Sequence, residues 1–455
     1  VAVESSFSQL LDGPGLGLAW GAPFLGLLLT IALAQTLWPA GWSRHYGKLT
    51  GLWAAAAALP IMGVFGTAGL AALEKLLLLE YLPFVVSIAA LYIIAGGIHI
   101  RSRMSGHPGE NAILLALGTV TGGIIGTPGA TLLFLPVLLK ANRWRRHKAH
   151  SLLFLILLIC NIGGGLSPMG PPLLIGYLRG VSFLWTVRMM LAPTLFVSAL
   201  LIGLYLAIDS VLLYPREDSR ARAQHKEVHN TLGLDGRANL PLLAAAIVLQ
   251  IVCGMWQSPA GLSLAGAVIS LAGIVRLLGL GLLAWLSLVL TPHHIRSENR
   301  FDWGPIVEVG VVFAGIFISI LPLLAILEAG MQGALGGLIR VVTGADGQPI
   351  NSAYFAATGI LSGFLDNAPT FLLFFNAAGG DPVPLMGAKA TTLVAISAGA
   401  AFWGGLTYVG NAPNLMVRSI AEQQRVAMPT FLAYMVWAAA ALLPVFAVTG
   451  WLFFM

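Results

Sequence analysis

Apolar runs of about 20 residues recur along the whole chain, and a run of that length crosses a bilayer as one helix. Inside lipid every backbone N–H and C=O needs a partner within the chain, which restricts such runs to a bundle of helices. Composition agrees. Hydrophobic residues make up 58% of the chain and charged ones 9%, against roughly 25% charged in soluble domains. No polar stretch is long enough for a soluble domain, so the chain reads as one all-α polytopic membrane unit. Its 24 Lys and Arg exceed its 18 Asp and Glu, which suits loops facing an anionic inner leaflet and not nucleic acid. Cys160 and Cys253 both lie in apolar runs, so no disulfide framework is expected. Residues 1–14 lack the basic region of a signal peptide.

In chain order, residues 15–38, 49–72 and 82–100 read as spans, with a short interfacial helix over Leu73 to Glu80. Residues 111–139 are too long for one span, too short for two, and broken by Gly126-Thr127-Pro128-Gly129. Both flanks of the run are net basic: Arg101, Arg103 and Glu110 stand before it, and Lys140, Arg143, Arg145, Arg146 and Lys148 after it. Both flanks should therefore be cytoplasmic, which makes the run a re-entrant hairpin. Residues 151–175 cross, but three consecutive glycines and three prolines within Asn161 to Pro172 cannot hold one continuous helix. A discontinuous helix of this kind is where transporters place their binding sites. Residues 190–213 complete a first half.

Residues 214–238 are the most polar stretch and read as a cytoplasmic linker. Arg216, Arg220, Arg222, Lys226 and Arg237 stand there against Glu217, Asp218, Glu227 and Asp235. The second half repeats the order of features: a span at 239–256, an interfacial stretch at 257–276, and spans at 277–291 and 304–325. An amphipathic stretch follows at 328–350. A second hairpin at 352–376 is broken at Asp366-Asn367-Ala368-Pro369, a crossing at 386–414 is broken between Gly404 and Asn414, and a last span covers 429–453. Ala130-Thr131-Leu132-Leu133-Phe134 lies against Pro369-Thr370-Phe371-Leu372-Leu373, Gly163-Gly164-Gly165-Leu166-Ser167 against Gly404-Gly405-Leu406-Thr407, and Pro83 against Pro305. The second hairpin's flanks carry Glu328, Arg340 and Asp346, then Asp381 and Lys389, with no positive excess, so it should enter from outside. The domains expected are therefore two inverted repeats, 1–213 and 239–455, of about five transmembrane helices each, joined by the linker. Each carries a re-entrant hairpin and a discontinuous helix.

Chemistry concentrates at the interruptions. Asp366 puts a carboxylate inside an apolar run, where a charge is costly unless it faces a polar cavity. With Asn367, Thr370, Thr407, Asn411 and Asn414 it offers the oxygens that a small cation needs. Thr127, Thr131, Asn161 and Ser167 offer a neutral counterpart in the first half. The competing reading of each is a cap on a broken helix end. A buried carboxylate can carry either sodium or a proton, and burial raises its pKa toward the range in which they compete. Glu308, between Val307 and Val309, is a second membrane acid suited to a proton path. No phosphate-binding loop and no zinc-enzyme context occur, so neither a cofactor nor a resident metal is expected.

Taken together, Gly126-Thr127-Pro128-Gly129-Ala130-Thr131, Asn161-Ile162-Gly163-Gly164, Leu365-Asp366-Asn367-Ala368-Pro369-Thr370 and Gly410-Asn411-Ala412-Pro413-Asn414 resemble the ion transporter superfamily. Within it the chain is most similar to bacterial sodium/proton antiporters of the NhaD and citrate-transporter-like branch. The resemblance implies a scaffold domain, a mobile transport domain holding both hairpins, a homodimer, and residence in the bacterial inner membrane. It also shows a departure. Relatives tend to carry an Asp after the Gly of the first broken helix and an Arg in the arm of the first hairpin. Here Gly170 precedes Pro171, and the arm reads Phe134-Leu135-Pro136, which leaves the first half without a buried charge.

The leading expectation is a sodium/proton antiporter working by alternating access, its partners a sodium ion, a proton and the lipid bilayer. The alternative is a sodium-coupled citrate or dicarboxylate carrier. Neither hairpin tip offers Lys or Arg for such an anion, although helix N-termini and amides could serve. An enzyme would need a nucleophile and base together, and a channel would not need two matched halves.

Overall fold

The computed structural model describes residues 7–101, 104–218, 233–256, 260–264, 267–299, 301–344, 347–364 and 367–455. Asp366 lies outside the described residues, as do Arg103, Arg220, Arg222, Lys226, Glu227 and Asp346.

Long helices carry the fold. We number them α1 (Ala22–Leu37), α2 (Pro39–Leu76), α3 (Leu82–Ala95), α4 (Pro108–Ile125), α5 (Thr127–Ala141), α6 (Ala149–Leu158), α7 (Pro171–Leu178) and α8 (Phe183–Ala207). They continue as α9 (Asn239–Met255), α10 (Leu271–Leu290), α11 (Gly304–Glu328), α12 (Asn351–Phe364), α13 (Asn367–Ala377), α14 (Ala390–Phe402), α15 (Ala412–Gln423) and α16 (Phe431–Phe454). Prolines sit in the first turns of α3, α5, α7, α11 and α15, where a missing N–H costs nothing. Ser182, Ser270 and Thr430 accept a backbone N–H at the starts of α8, α10 and α16.

The stretches long and apolar enough to cross a membrane are Ala40–Ala95, Phe183–Arg216, Leu271–Leu290, Gly304–Glu328 and Phe431–Phe454. The outer faces of α8, α10 and α16 expose large apolar side chains such as Leu184, Leu278 and Trp451, as a lipid-facing surface requires. By contrast, His150–Leu158 of α6 is buried throughout.

Several boundaries differ from the sequence reading; the span expected from 190, for example, begins at Phe183. The second span begins at Pro39 and breaks at Gly66, whose φ of 53° suits glycine. Beyond that break Leu73 to Glu80 are helical, as expected, but as a continuation of α2 and not as a separate helix. The chain continues as helix through a wide turn, Leu77–Tyr81, into α3, and that turn absorbs the N–H missing at Pro83. In the second half a two-stranded ribbon, Gly261–Leu264 with Ala267–Ser270, leads into a helix that starts at Leu271 and not at 277, because Ser270 caps it. At the end of the polar linker, Gly233–Asp235 pairs with His99–Arg101 beside α3.

The packing follows one scheme twice. Helix α1 packs on α2 as α9 does on α10; α2 packs on α11 as α10 does on α3. The arm α5 lies against α15, while α13 lies against α7, and α8 meets α16. Two bundles result, α1–α3 with α9–α11 and α4–α8 with α12–α16.

Candidate functional site at the two helix breaks

Between α4 and α5 the chain turns at Gly126, with φ 81° and ψ 152°, a conformation that disfavours any side chain. Between α6 and α7 it unwinds, leaving only a single tight turn, Ile162–Gly165. Ser167 joins the two interruptions: its hydroxyl donates to the Gly123 carbonyl of α4 and accepts the Met169 N–H at 3.2 Å. The second half repeats this. Thr407 donates to the Gly363 carbonyl of α12 at 2.6 Å and accepts from Val409 and Gly410 N–H at 3.2 and 3.1 Å. Both hydroxyl-to-carbonyl bonds span 44 residues.

Glycine recurs here for a steric reason. A Cβ at Gly170 would lie 2.2 Å from the Gly164 oxygen, and one at Gly410 would lie 2.5 Å from the Gly404 oxygen. The two breaks thus fold back on themselves in the same way. Since α5 begins at Thr127 and α13 at Asn367, Thr370 stands opposite Ala130, one place from the register that the sequence alone suggested.

Three asparagines then connect the breaks. Asn161 Nδ2 donates to Asn414 Oδ1 at 2.9 Å and to the Ile156 carbonyl at 2.7 Å. Asn414 Nδ2 donates in turn to the Gly404 and Thr407 carbonyls, each at 2.9 Å. Asn411 Nδ2 donates to the Cys160 carbonyl at 2.6 Å and approaches Asn161 Oδ1 at 3.4 Å. All three side chains are buried, so these bonds satisfy amides that otherwise could not be left in a membrane core. Tyr434 OH adds a bond to the Gly405 carbonyl at 2.7 Å.

Two buried oxygens at the same place in each half remain unsatisfied. Thr127 Oγ1 and Asn367 Oδ1, on the first residues of α5 and α13, are buried without a hydrogen-bond partner. Thr131 bonds the Thr127 carbonyl at 2.7 Å and contacts Cys160 Sγ at 3.2 Å. Thr370 is buried in the first turn of α13. Glu308 stands elsewhere: its carboxylate accepts from Trp42 Nε1 at 2.6 Å, between α11 and α2, and no described hydrogen bond links it to either break.

Sequence reading missed a second polar centre. Arg145, counted as an open cytoplasmic charge, is fully buried and forms an ion pair with Asp209 just past α8; its Nη1 donates to Asp209 Oδ2 at 2.9 Å. His150 Nε2 lies 3.0 Å from Asp209 Oδ1, Tyr205 OH donates to Oδ2 at 2.8 Å, and Glu217 approaches Arg145 Nε at 3.4 Å. Asn111 and Asn142 exchange bonds of 2.9 and 3.0 Å across the base of the α4–α5 pair. The one available signal was Asp209 itself, a lone acid ending an apolar run.

Apolar helices of spanning length around two buried polar breaks are the build of a multi-pass membrane transporter. The chain matches, over residues 14–454, the profile of a family described as "Putative citrate transport", and it belongs to that family. It is also 25% identical over 334 residues to an uncharacterized transporter of Mycobacterium tuberculosis and, to the same degree, to one of Mycobacterium bovis; the match covers 70% of this chain and 71% of each relative. The family is thus that of citrate transport and not specifically the sodium/proton antiporter branch to which the motifs pointed.

Proposed function

We propose that the protein is a secondary transporter that works by alternating access and carries a small carboxylate of the citrate class, coupled to a cation, at its joined breaks. The observation that carries this reading is the bond from Asn161 to Asn414, which ties together the two places where α5, α7, α13 and α15 begin. Helix N-termini carry partial positive charge, and the side chains beside them are amides and hydroxyls, a donor set that suits carboxylate oxygens. Family membership supports the same cargo. The open oxygens of Thr127 and Asn367, with Asp366 and Thr370, suit sodium as the coupling ion. The packing scheme that occurs twice, with partners exchanged between halves, supports two inverted repeats with α4–α5 and α12–α13 as re-entrant hairpins. Residence in the bacterial inner membrane as a homodimer is part of the same reading.

Sodium/proton exchange is the second reading, favoured by the carboxylate of Asp366 and by breaks that contain neither Lys nor Arg. One assay separates the two. Purified protein in proteoliposomes is given labelled citrate or succinate under a sodium or proton gradient. In parallel, sodium-loaded vesicles with a pH-sensitive dye receive a pH step without any organic acid. Gradient-driven uptake of label supports the carboxylate carrier; a dye response without organic acid, and no uptake, replaces it with the exchanger.

A further inference from the structure

Neither break contains a cation, yet an anionic cargo calls for one nearby. The structure places one against α7, the helix that follows the first break, from another part of the chain. Arg276 lies in α10, within a stretch from Gly236 to Ser297 that contains no Asp or Glu. Among the described residues no carboxylate lies within salt-bridge distance of it, and its Nε is buried without a hydrogen bond. Its guanidinium carbon stands 6.0 Å from the centre of the Tyr177 ring on α7. A charge inside a membrane helix is costly and is kept where it faces a partner, a water-filled cavity or a passing ion.

The surroundings lead from Arg276 to the break. Tyr177 OH donates to the Gln250 carbonyl on α9. The contact is close enough that a side chain at Gly254 would collide with that hydroxyl. The fully buried Gln250 side chain then donates from Nε2 to Met169 Sδ at 3.3 Å, and Met169 is the residue before Gly170 in the break. The other end of the same amide, Gln250 Oε1, is buried with no partner. Guanidinium, aromatic face and amide are therefore strung from the start of α10 to the first break.

We propose that Arg276, set against the Tyr177 ring whose hydroxyl is held by the Gln250 carbonyl, forms an outer subsite that engages a carboxylate group of the transported organic acid ahead of the first break. This rests on the carboxylate reading of the function. A planar guanidinium matches a carboxylate through paired hydrogen bonds, and here it has no internal acid to compete for them. Arg276 acts in recognition, and the coupling ion does not depend on it.

The test uses the full chain in proteoliposomes with labelled citrate, comparing the wild type with Arg276→Gln and Arg276→Lys. We expect R276Q to raise the KM for citrate by about 10- to 100-fold, the worth of a charge-assisted hydrogen bond, with the maximal rate within about twofold. R276K, which keeps the charge but loses the fork, should fall between the two. If the wild type takes up citrate and both variants keep its KM, the subsite is wrong while the carboxylate reading stands. A loss of maximal rate at unchanged KM makes Arg276 structural and likewise overturns the subsite. If the wild type carries no organic acid, the carboxylate reading itself fails and the subsite falls with it.

Discussion

Asn161 and Asn414, 253 residues apart, form a hydrogen bond of 2.9 Å in a place with essentially no access to solvent. One residue ends a helix segment in the first half, and the other starts one in the second. Their amides also hold backbone carbonyls on both sides, so the pair fixes how the two breaks face each other. Replacing Asn414 with Leu removes the partner of one Asn161 N–H, the other keeping the Ile156 carbonyl, and takes a donor from the Gly404 and Thr407 carbonyls. We expect a loss of about 1–3 kcal/mol for each group left unsatisfied. Thermal unfolding in detergent should show it as a lower midpoint; an unchanged midpoint would mean that the bond holds nothing.

Ser167 and Thr407 make the same contact in the two halves, so their variants should behave alike. Ser167→Ala and Thr407→Val each release a buried carbonyl on the neighbouring helix, α4 or α12; Ser167→Ala also frees one N–H and Thr407→Val two. Transport should fall in both, more in T407V. A normal rate in T407V alone would break the equivalence of the halves.

Asp209→Asn leaves the Arg145 guanidinium buried with its strongest partner gone. Breaking a buried ion pair from one side costs about 3–5 kcal/mol. The double variant Asp209→Asn, Arg145→Gln should recover part of this. If the double variant were less stable than D209N, the pair would not be the source of the effect.

The membrane orientation we propose rests on the charges flanking α4–α5 and α12–α13, and the probe positions follow from the structure. Arg145 is buried, so its neighbour Arg146, which is exposed, should carry the cysteine. Val383, 72% exposed after the second hairpin, is the site for the opposite face. In whole cells an impermeant thiol reagent should reach a cysteine at 383 and not one at 146. Labelling at both positions would contradict opposed hairpins.

Asp366→Asn should abolish coupling to the driving ion, since an amide keeps size and hydrogen bonding but brings no charge for sodium and cannot exchange a proton. Transport at the wild-type rate with the same pH dependence would make Asp366 structural. Glu308→Gln should do less, because an amide oxygen still accepts from Trp42.

Much of this was legible because glycine and proline interrupt apolar runs where helices cannot continue. Gly126, Gly163 to Gly165 and Gly404 to Gly410 marked breaks that the structure contains at those positions. Other features depend on neighbours distant in sequence and left no local trace. The kink at Gly66 falls within an apolar run with no proline closer than Pro60. The Arg145–Asp209 pair links a loop to the far end of α8, and spacing alone does not choose between Asp209 and an open cytoplasmic charge. Asn161, Asn411 and Asn414 were legible as polar residues at breaks, but their mutual bonds were not, because the packing of α15 on the end of α6 creates them. Arg276 was hidden for a similar reason: it meets Tyr177 of α7 from a helix in the other half.

The exchange of partners between halves has a consequence for how the protein is made. Asn161 is inserted long before Asn414 exists. At roughly 5–20 residues per second, synthesis of the intervening 253 residues takes about 10–50 s. For that interval the first half sits in the bilayer with a polar amide exposed, and the α7 surface that α13 later covers stays open. A nascent half of this kind has to be shielded by lipid-embedded assembly factors, by water at the insertion site or by a second nascent chain. Its window of exposure to quality control is set by where Asn414 falls in the message.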